Sequence, residues 1–171
     1  AQPGQPERFD TEYVRNGTCN LFMFTAPLLG WRRVEVTERR TMVDWAEQIR
    51  HLVDVDFPWA EKVVRVMDNL NTHRPASLYE AFTPEEARRI LERLEIHYTP
   101  KHGSWLNMAE IEFSVLNHHG LSDRIPSFER MRVEVKAWVL HRNQSIKRIT
   151  WRFTTENARI KLARLYPQFD S

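Results

Sequence analysis

Apolar and polar positions follow a strand-like pattern early in the chain and a helical one over most of the remainder. Thr18 to Phe24 (TCNLFMF) and Trp31 to Val36 (WRRVEV) are β-branched and aromatic runs separated by Pro27 and Gly30, which predicts two hairpin-connected antiparallel strands. Cys19 reads as a small buried residue of the first strand. From Thr41 to about Asp54 the apolar residues Val43, Ala46, Ile49, Leu52 and Val53 recur at helical spacing. Thr41 is the expected N-cap, with Asp44 three residues on. Lys62 to Met67 (KVVRVM) is a short apolar run that stops at Asp68-Asn69 and predicts a buried parallel strand reached by a helical crossover.

A short helix is expected over Ala76 to Phe82. The sequence Thr83-Pro84-Glu85-Glu86 then offers an N-cap, a first-turn proline and a capping-box glutamate for a helix through Arg93. Glu95 to Thr99 is the next strand and Pro100 to Ser104 a loop; helices follow from about Trp105 to Asn117, Ser127 to His141 and Thr155 to Leu165. This order predicts an α/β fold, a mixed sheet with helices on its faces. Ligands of such sheets sit beyond the carboxyl ends of parallel strands, which is where Asp68 falls.

Composition narrows the class without naming a partner. With 171 residues, 42% hydrophobic and 28% charged, the chain suits one soluble domain over 1–171. The net charge is only +2, but residues 121–171 hold eleven Lys and Arg against five Asp and Glu, a local +6 that leaves −4 for the rest. The expected helical, basic C-terminal part is thus a candidate polyanion-facing surface. A single cysteine excludes an internal disulfide, and no Cys/His spacing suits a zinc site, so a reducing cytoplasm is expected. No apolar run approaches a membrane span. Residues 1–16 are polar and Pro-containing, reading as a connecting segment within a longer, N-terminally truncated protein rather than as a signal sequence.

The candidate chemistry lies in carboxylates far apart in sequence. Asp68-Asn69 has two readings of similar weight, a turn that bonds its own backbone or a metal-ligating strand end. On the helix after the Pro100 loop, Leu106, Ala109, Phe113 and Leu116 form an apolar stripe that Glu110 and Glu112 flank. Periodicity does not choose between these glutamates. Asn107 and Glu110, neighbours at i and i+3, favour Glu110 as part of a polar group. Converging oxygen ligands suit magnesium, and two such ions about 4 Å apart support phosphodiester displacement.

Two blocks give this pattern a family likeness: VMDNLNTH at 66–73 and YTPKHGSWLNMAEIE at 98–112. They resemble the signature blocks of DDE transposases, nearest to the bacterial insertion-sequence branch related to the mariner superfamily. The likeness runs from about Asn16 to Pro167 and includes WRFTT at 151–155 and KLARLYP at 161–167. It implies a ribonuclease-H-like core that cuts DNA at transposon ends and joins the freed 3′ hydroxyl to target DNA with two Mg²⁺ or Mn²⁺ ions. By position, Asp68 matches the second catalytic Asp and Glu110 the third carboxylate, leaving Glu112 as a helix-surface residue. Asn69 and His73 match positions beside Asp68 that order the site or touch DNA; His73 reads equally as a turn or helix-start residue. His102 and Ser104 are candidate substrate contacts from the loop, and Asn107 a supporting residue, although Gly103 equally marks a turn.

The pattern is incomplete in one respect. The family's first catalytic Asp ends its first sheet strand, which would precede Ala1, so the sheet is expected to lack that strand; Asp10 and Glu12 lie in the connecting segment and are poor substitutes. The helix-turn-helix region that reads transposon ends is not in the sequence either. The expected partners are DNA, at both transposon end and target, and a second protomer in a homodimer of the full-length protein, within a bacterial cytoplasm at the nucleoid. Arg142, Lys147, Arg148 and Arg152 are candidate phosphate contacts, with a solvated helix face as the ordinary alternative. Trp105, Trp138 and Trp151 suit packing better than base stacking. The rival to a catalytic core is a non-catalytic DNA-binding or assembly remnant.

Overall fold

The computed structural model describes residues 17–99, 107–121, 124–146, 148 and 154–161. Strands β1 (Asn20–Ala26) and β2 (Trp31–Thr37) form the expected antiparallel hairpin, in register from Asn20 opposite Thr37 to Ala26 opposite Trp31. Gly30 closes the turn with φ +70°, and Ile146 lies 3.1 Å from where a Cβ would stand, so both conformation and space require glycine there. Alternation then gives the hairpin two apolar faces. Phe22 and Phe24 enter one core; Leu21, Met23, Val34 and Val36 enter another. Cys19 is half-buried beside the second core, just ahead of β1 rather than within it.

Helix α1 (Met42–His51) covers the Phe22 face. It starts from a full capping box: Asp44 N–H donates to Thr41 Oγ1 at 3.2 Å, and Thr41 N–H donates to Asp44 Oδ2 at 2.7 Å. Trp45, Ala46 and Ile49 are buried at helical spacing. The helix runs past its expected end by widening into a π turn over Leu52–Asp56, closed by Phe57 N–H donating to Leu52 O at 3.0 Å. That turn presents two carboxylates to distant cations. Asp56 Oδ2 accepts from Arg33 Nε at 2.6 Å, and Asp54 accepts from Arg89 through both oxygens, at 2.8 and 2.7 Å.

Strand β3 (Val63–Met67) is followed by α2 (Ala76–Ala81), α3 (Pro84–Glu92) and β4 (Leu94–Tyr98), which returns parallel to β3 with Met67 opposite Tyr98. Thr83 caps α3 by accepting from Glu86 N–H at 3.4 Å, while the Glu86 carboxylate turns outward to Arg89 instead of completing the expected box. The crossover helices and α1 bury Met67, Leu78, Ala87, Ile90 and Leu94 in one core with Phe22 and Phe24.

Two expectations need correction here. β3 is not a buried strand: Val64 and Val66 are exposed, because the helices of this core pack on the Met67 face. Nor do the described strands make one mixed sheet; they form two separate pairs, β1–β2 and β3–β4.

Helix α4 (Met108–His119) and α5 (Phe128–Gln144) cover the other face of the hairpin, burying Val36, Leu116, Val135 and Trp138. Trp138 thus packs between elements, as its spacing suggested. The last described helix is α6 (Thr155–Lys161). Asn107 and Ser127 cap α4 and α5, so α4 begins at Met108, past the expected Trp105. The result is three layers: α1 to α3, the strands, then α4 and α5. No helix among the described residues is long and apolar enough to cross a membrane.

Candidate functional site

Asp68 stands where β3 ends, its side chain half exposed. Its Oδ1 accepts from Leu70 N–H at 3.4 Å and lies 2.9 Å from His73 Nδ1. The turn that follows closes on itself, with His73 N–H donating to Leu70 O at 2.8 Å. Asn69 ties it to the neighbouring strand by donating from Nδ2 to Thr99 O at 3.2 Å. Turn geometry and an open carboxylate therefore coexist at Asp68: Oδ1 is held, and among the described residues Oδ2 has no hydrogen-bond donor.

The group holding Oδ1 is itself fixed. His73 is largely buried, stacked on Trp45 with ring centroids 5.9 Å apart and 22° between planes. Tyr98 donates from its hydroxyl to His73 O at 3.4 Å. Burial pulls the His73 imidazole below its ordinary pKa, against the raising effect of the Asp68 hydrogen bond and charge. A neutral ring donating from Nδ1 to the carboxylate fits that balance. Beneath it, Arg65 lies over the rings of Phe24 and Trp45, at 5.2 and 5.3 Å, and burial lowers its pKa to about 10 despite the nearby charge of Asp68.

The start of α4 meets the same region. Asp68 and His73 line a cleft of about 1060 Å³ together with Asn107, Met108 and Ala109. Asn107 spends its side chain on capping, accepting from Ala109 N–H at 3.1 Å, while its carbonyl accepts from Glu110 N–H at 3.1 Å. Glu110 follows as the acidic residue of the first turn and is exposed. Among the described residues no three His, Cys, Asp or Glu side chains gather as a metal site. The oxygen donors present, a half-open Asp68 and an exposed Glu110, are of the hard type that suits Mg²⁺ or Mn²⁺.

Glu112 corrects the expectation of a helix-surface residue. It is 1% exposed and meets Arg32 Nη2 at 2.7 Å and Arg142 at 3.3 Å. Burial would raise its pKa, but the hydrogen bonds and charges of Arg32 and Arg142 prevail and hold it below the usual carboxylate value. Beside this pair, Asn143 clamps α5 onto β2, accepting from Arg32 N–H and donating to Arg32 O, both at 2.8 Å.

Strand alternation placed Arg32 on the same face as Val34 and Val36, and an inward arginine demands a buried acid. That signal pointed to Glu112, which follows Ala109 by three residues and precedes Leu116 by four, so it lies on the apolar stripe.

The remaining candidates divide. Arg142 reaches Glu112, and Arg148 is exposed. His102, Ser104, Lys147 and Arg152, with Trp105 and Trp151, lie outside the described residues. Exposed bases that the sequence reading did not single out include Arg132 and Lys136, one helical turn apart on α5.

Comparison with known proteins adds one finding. A family model described as DDE superfamily endonuclease matches residues 1–132. No curated protein and no solved structure matches the chain.

Proposed function

The chain belongs to the DDE superfamily of endonucleases, and from that membership we propose that it is the core of a bacterial insertion-sequence transposase. It cleaves DNA at transposon ends and transfers the 3′ hydroxyl into target DNA, with Asp68 and Glu110 as metal-holding carboxylates. The observation that carries the reading is Asp68: at a strand end, half exposed, with one oxygen fixed by a partly buried histidine and the other open. Cleavage by water breaks one phosphodiester and leaves a 3′ hydroxyl, which then displaces the corresponding oxygen of a target phosphodiester. Divalent metal, when bound, supplies Lewis acidity for both displacements. His73 keeps Asp68 Oδ1 in place, and the cap at Asn107 fixes the helical turn that carries Glu110.

The accompanying fold is ribonuclease-H-like. The active species is a homodimer on paired DNA ends. Supporting DNA contacts come from Asn69, His102 and Ser104, and from the basic C-terminal part with Lys147, Arg148 and Arg152; Arg142, paired with Glu112, is not among them. In a chain that includes its native upstream reading frame, Asp68→Asn and Glu110→Gln should each abolish cleavage and strand transfer while DNA binding persists. Full activity in either variant overturns the assignment.

A second reading, a DNA-binding module without catalysis, draws on the exposed bases Arg132, Lys136, Arg148 and Arg159 of the +6 segment. It predicts metal-independent, strongly salt-dependent DNA binding.

A further inference from the structure

Several arginines around α1 to α3 are spent on partners. Arg33 is tied to Asp56 and Gln48, Arg89 to Asp54 and Glu86, and Arg93 to three backbone carbonyls. Arg40 is exposed and, among the described residues, its side chain makes no hydrogen bond or ion pair. Its place in the fold is nonetheless fixed. The next residue, Thr41, opens the capping box of α1, and Trp45, one turn into that helix, stacks on His73. The first turn of α1 is thereby held against the turn that carries Asp68, with Arg40 immediately ahead of it. Arg40 lines the same cleft as Asp68, His73 and Asn107.

The charge around that cleft is uneven. Arg40, Lys62 and Arg65 line it against one acid, Asp68. Lys62 stands before β3, at the opposite end of the strand from Asp68, whereas Arg40 and Arg65 act at the Asp68 end. Burial is the main cause of the lowered His73 pKa, Asp68 opposes it, and the charges of Arg65 and Arg40 add to it, so both guanidinium groups are within electrostatic reach of the Asp68–His73 pair. The two differ in freedom. Arg65 is packed over Phe24 and Trp45, while Arg40 is exposed and unpaired.

A phosphodiester approaching Asp68 and Glu110 meets two negative carboxylates. A free cation on the rim offsets that repulsion, and a guanidinium meets two phosphate oxygens at once, setting orientation as well as charge. We infer that Arg40 is a phosphate-holding residue of this site, its guanidinium donating to the non-bridging oxygens of the DNA phosphodiester that lies against Asp68. The inference rests on the nuclease reading of Asp68 and adds to it a residue outside both signature blocks. Arg65, fixed behind the site, contributes charge without contact. The adjacent Arg39 has no such role: it is not among the residues lining the cleft, and its charge falls on Asp44.

The test is DNA binding by the full 171-residue chain, followed by fluorescence anisotropy of a labelled duplex over a range of salt, without divalent metal. Arg40→Gln should bind about fivefold or more weakly than the parent and reduce the salt slope by about one phosphate contact. Arg40→Lys, which keeps the charge and loses the fork, should recover part of the affinity. Arg39→Gln should stay within about twofold of the parent. Position is read from a cycle with Asp68→Asn. Without metal the Asp68 charge repels a phosphate seated beside it, so Asp68→Asn should tighten binding roughly threefold in the parent and leave it unchanged in Arg40→Gln. Matching thermal midpoints establish that the variants are folded. Unchanged binding in Arg40→Gln, an equal loss in Arg39→Gln, or no DNA binding by the folded parent overturns the inference. An equal effect of Asp68→Asn in both backgrounds also overturns it, by placing Arg40 on DNA away from Asp68. Neither cleavage nor metal binding enters this readout, so its failure is separable from failure of the nuclease reading.

Discussion

Glu112 and Asp68 are both carboxylates on the middle layer's flanks, and they are treated in opposite ways. Glu112 is closed off, its oxygens taken by Arg32 and Arg142 inside the core between β2, α4 and α5. Asp68 has one oxygen tied to His73 and remains half exposed beside a large cleft. A carboxylate with every oxygen satisfied is part of what holds two layers together; one left open at a strand end is available to a ligand. The contrast separates the two glutamates of α4, which stand only two residues apart in sequence.

The largest expected effect is on the closed side. Glu112→Ala takes a buried carboxylate away from Arg32 and Arg142 and should lower stability by about 3–5 kcal/mol, read from denaturant midpoints. Its pH dependence follows from the depressed pKa. The contribution is fully present above the ordinary carboxylate pKa and is lost as pH falls through the lower folded value. The gap between wild type and Glu112→Gln should therefore narrow on acidification below about pH 4; an unchanged gap would contradict the ion pair as its source.

Asn143→Ala should rank next. It removes both side-chain bonds to the Arg32 backbone and leaves a partly buried donor and acceptor unmet, at about 1–3 kcal/mol. Thr41→Ala, which breaks the capping box of α1, should cost about 1 kcal/mol in the same measurement. On the open side, Glu110→Gln should change stability by no more than about 0.5 kcal/mol. A loss at Glu110 comparable to that at Glu112 would erase the distinction between the two.

The sequence made local features legible and left distant pairings obscure. The hairpin, the Thr41 cap and Asp68 at a strand end all follow from neighbours within a few residues, and each stands where expected. The π turn at Leu52–Asp56 was not legible, because its carboxylates answer to Arg33 and Arg89, whose positions only the fold supplies. The role of Glu112 depended on Arg32, eighty residues earlier. Both alternation in β2 and the wheel of α4 carried that signal, but reading the glutamate as a flank of the stripe rather than part of it hid the pair. The separate sheets were equally out of reach, since which strands pair is set by the whole fold rather than by any one strand's own pattern.

The most direct measurement is Mn²⁺ binding by calorimetry to the chain and to Asp68→Asn, Glu110→Gln and Glu112→Gln, each first shown to be folded. The expected result is binding by the parent chain, tenfold or greater weakening in the Asp68 and Glu110 variants, and little change in the Glu112 variant. Unchanged affinity in Asp68→Asn and Glu110→Gln, or selective loss in a folded Glu112→Gln, would contradict the division between a structural carboxylate and a metal-holding pair.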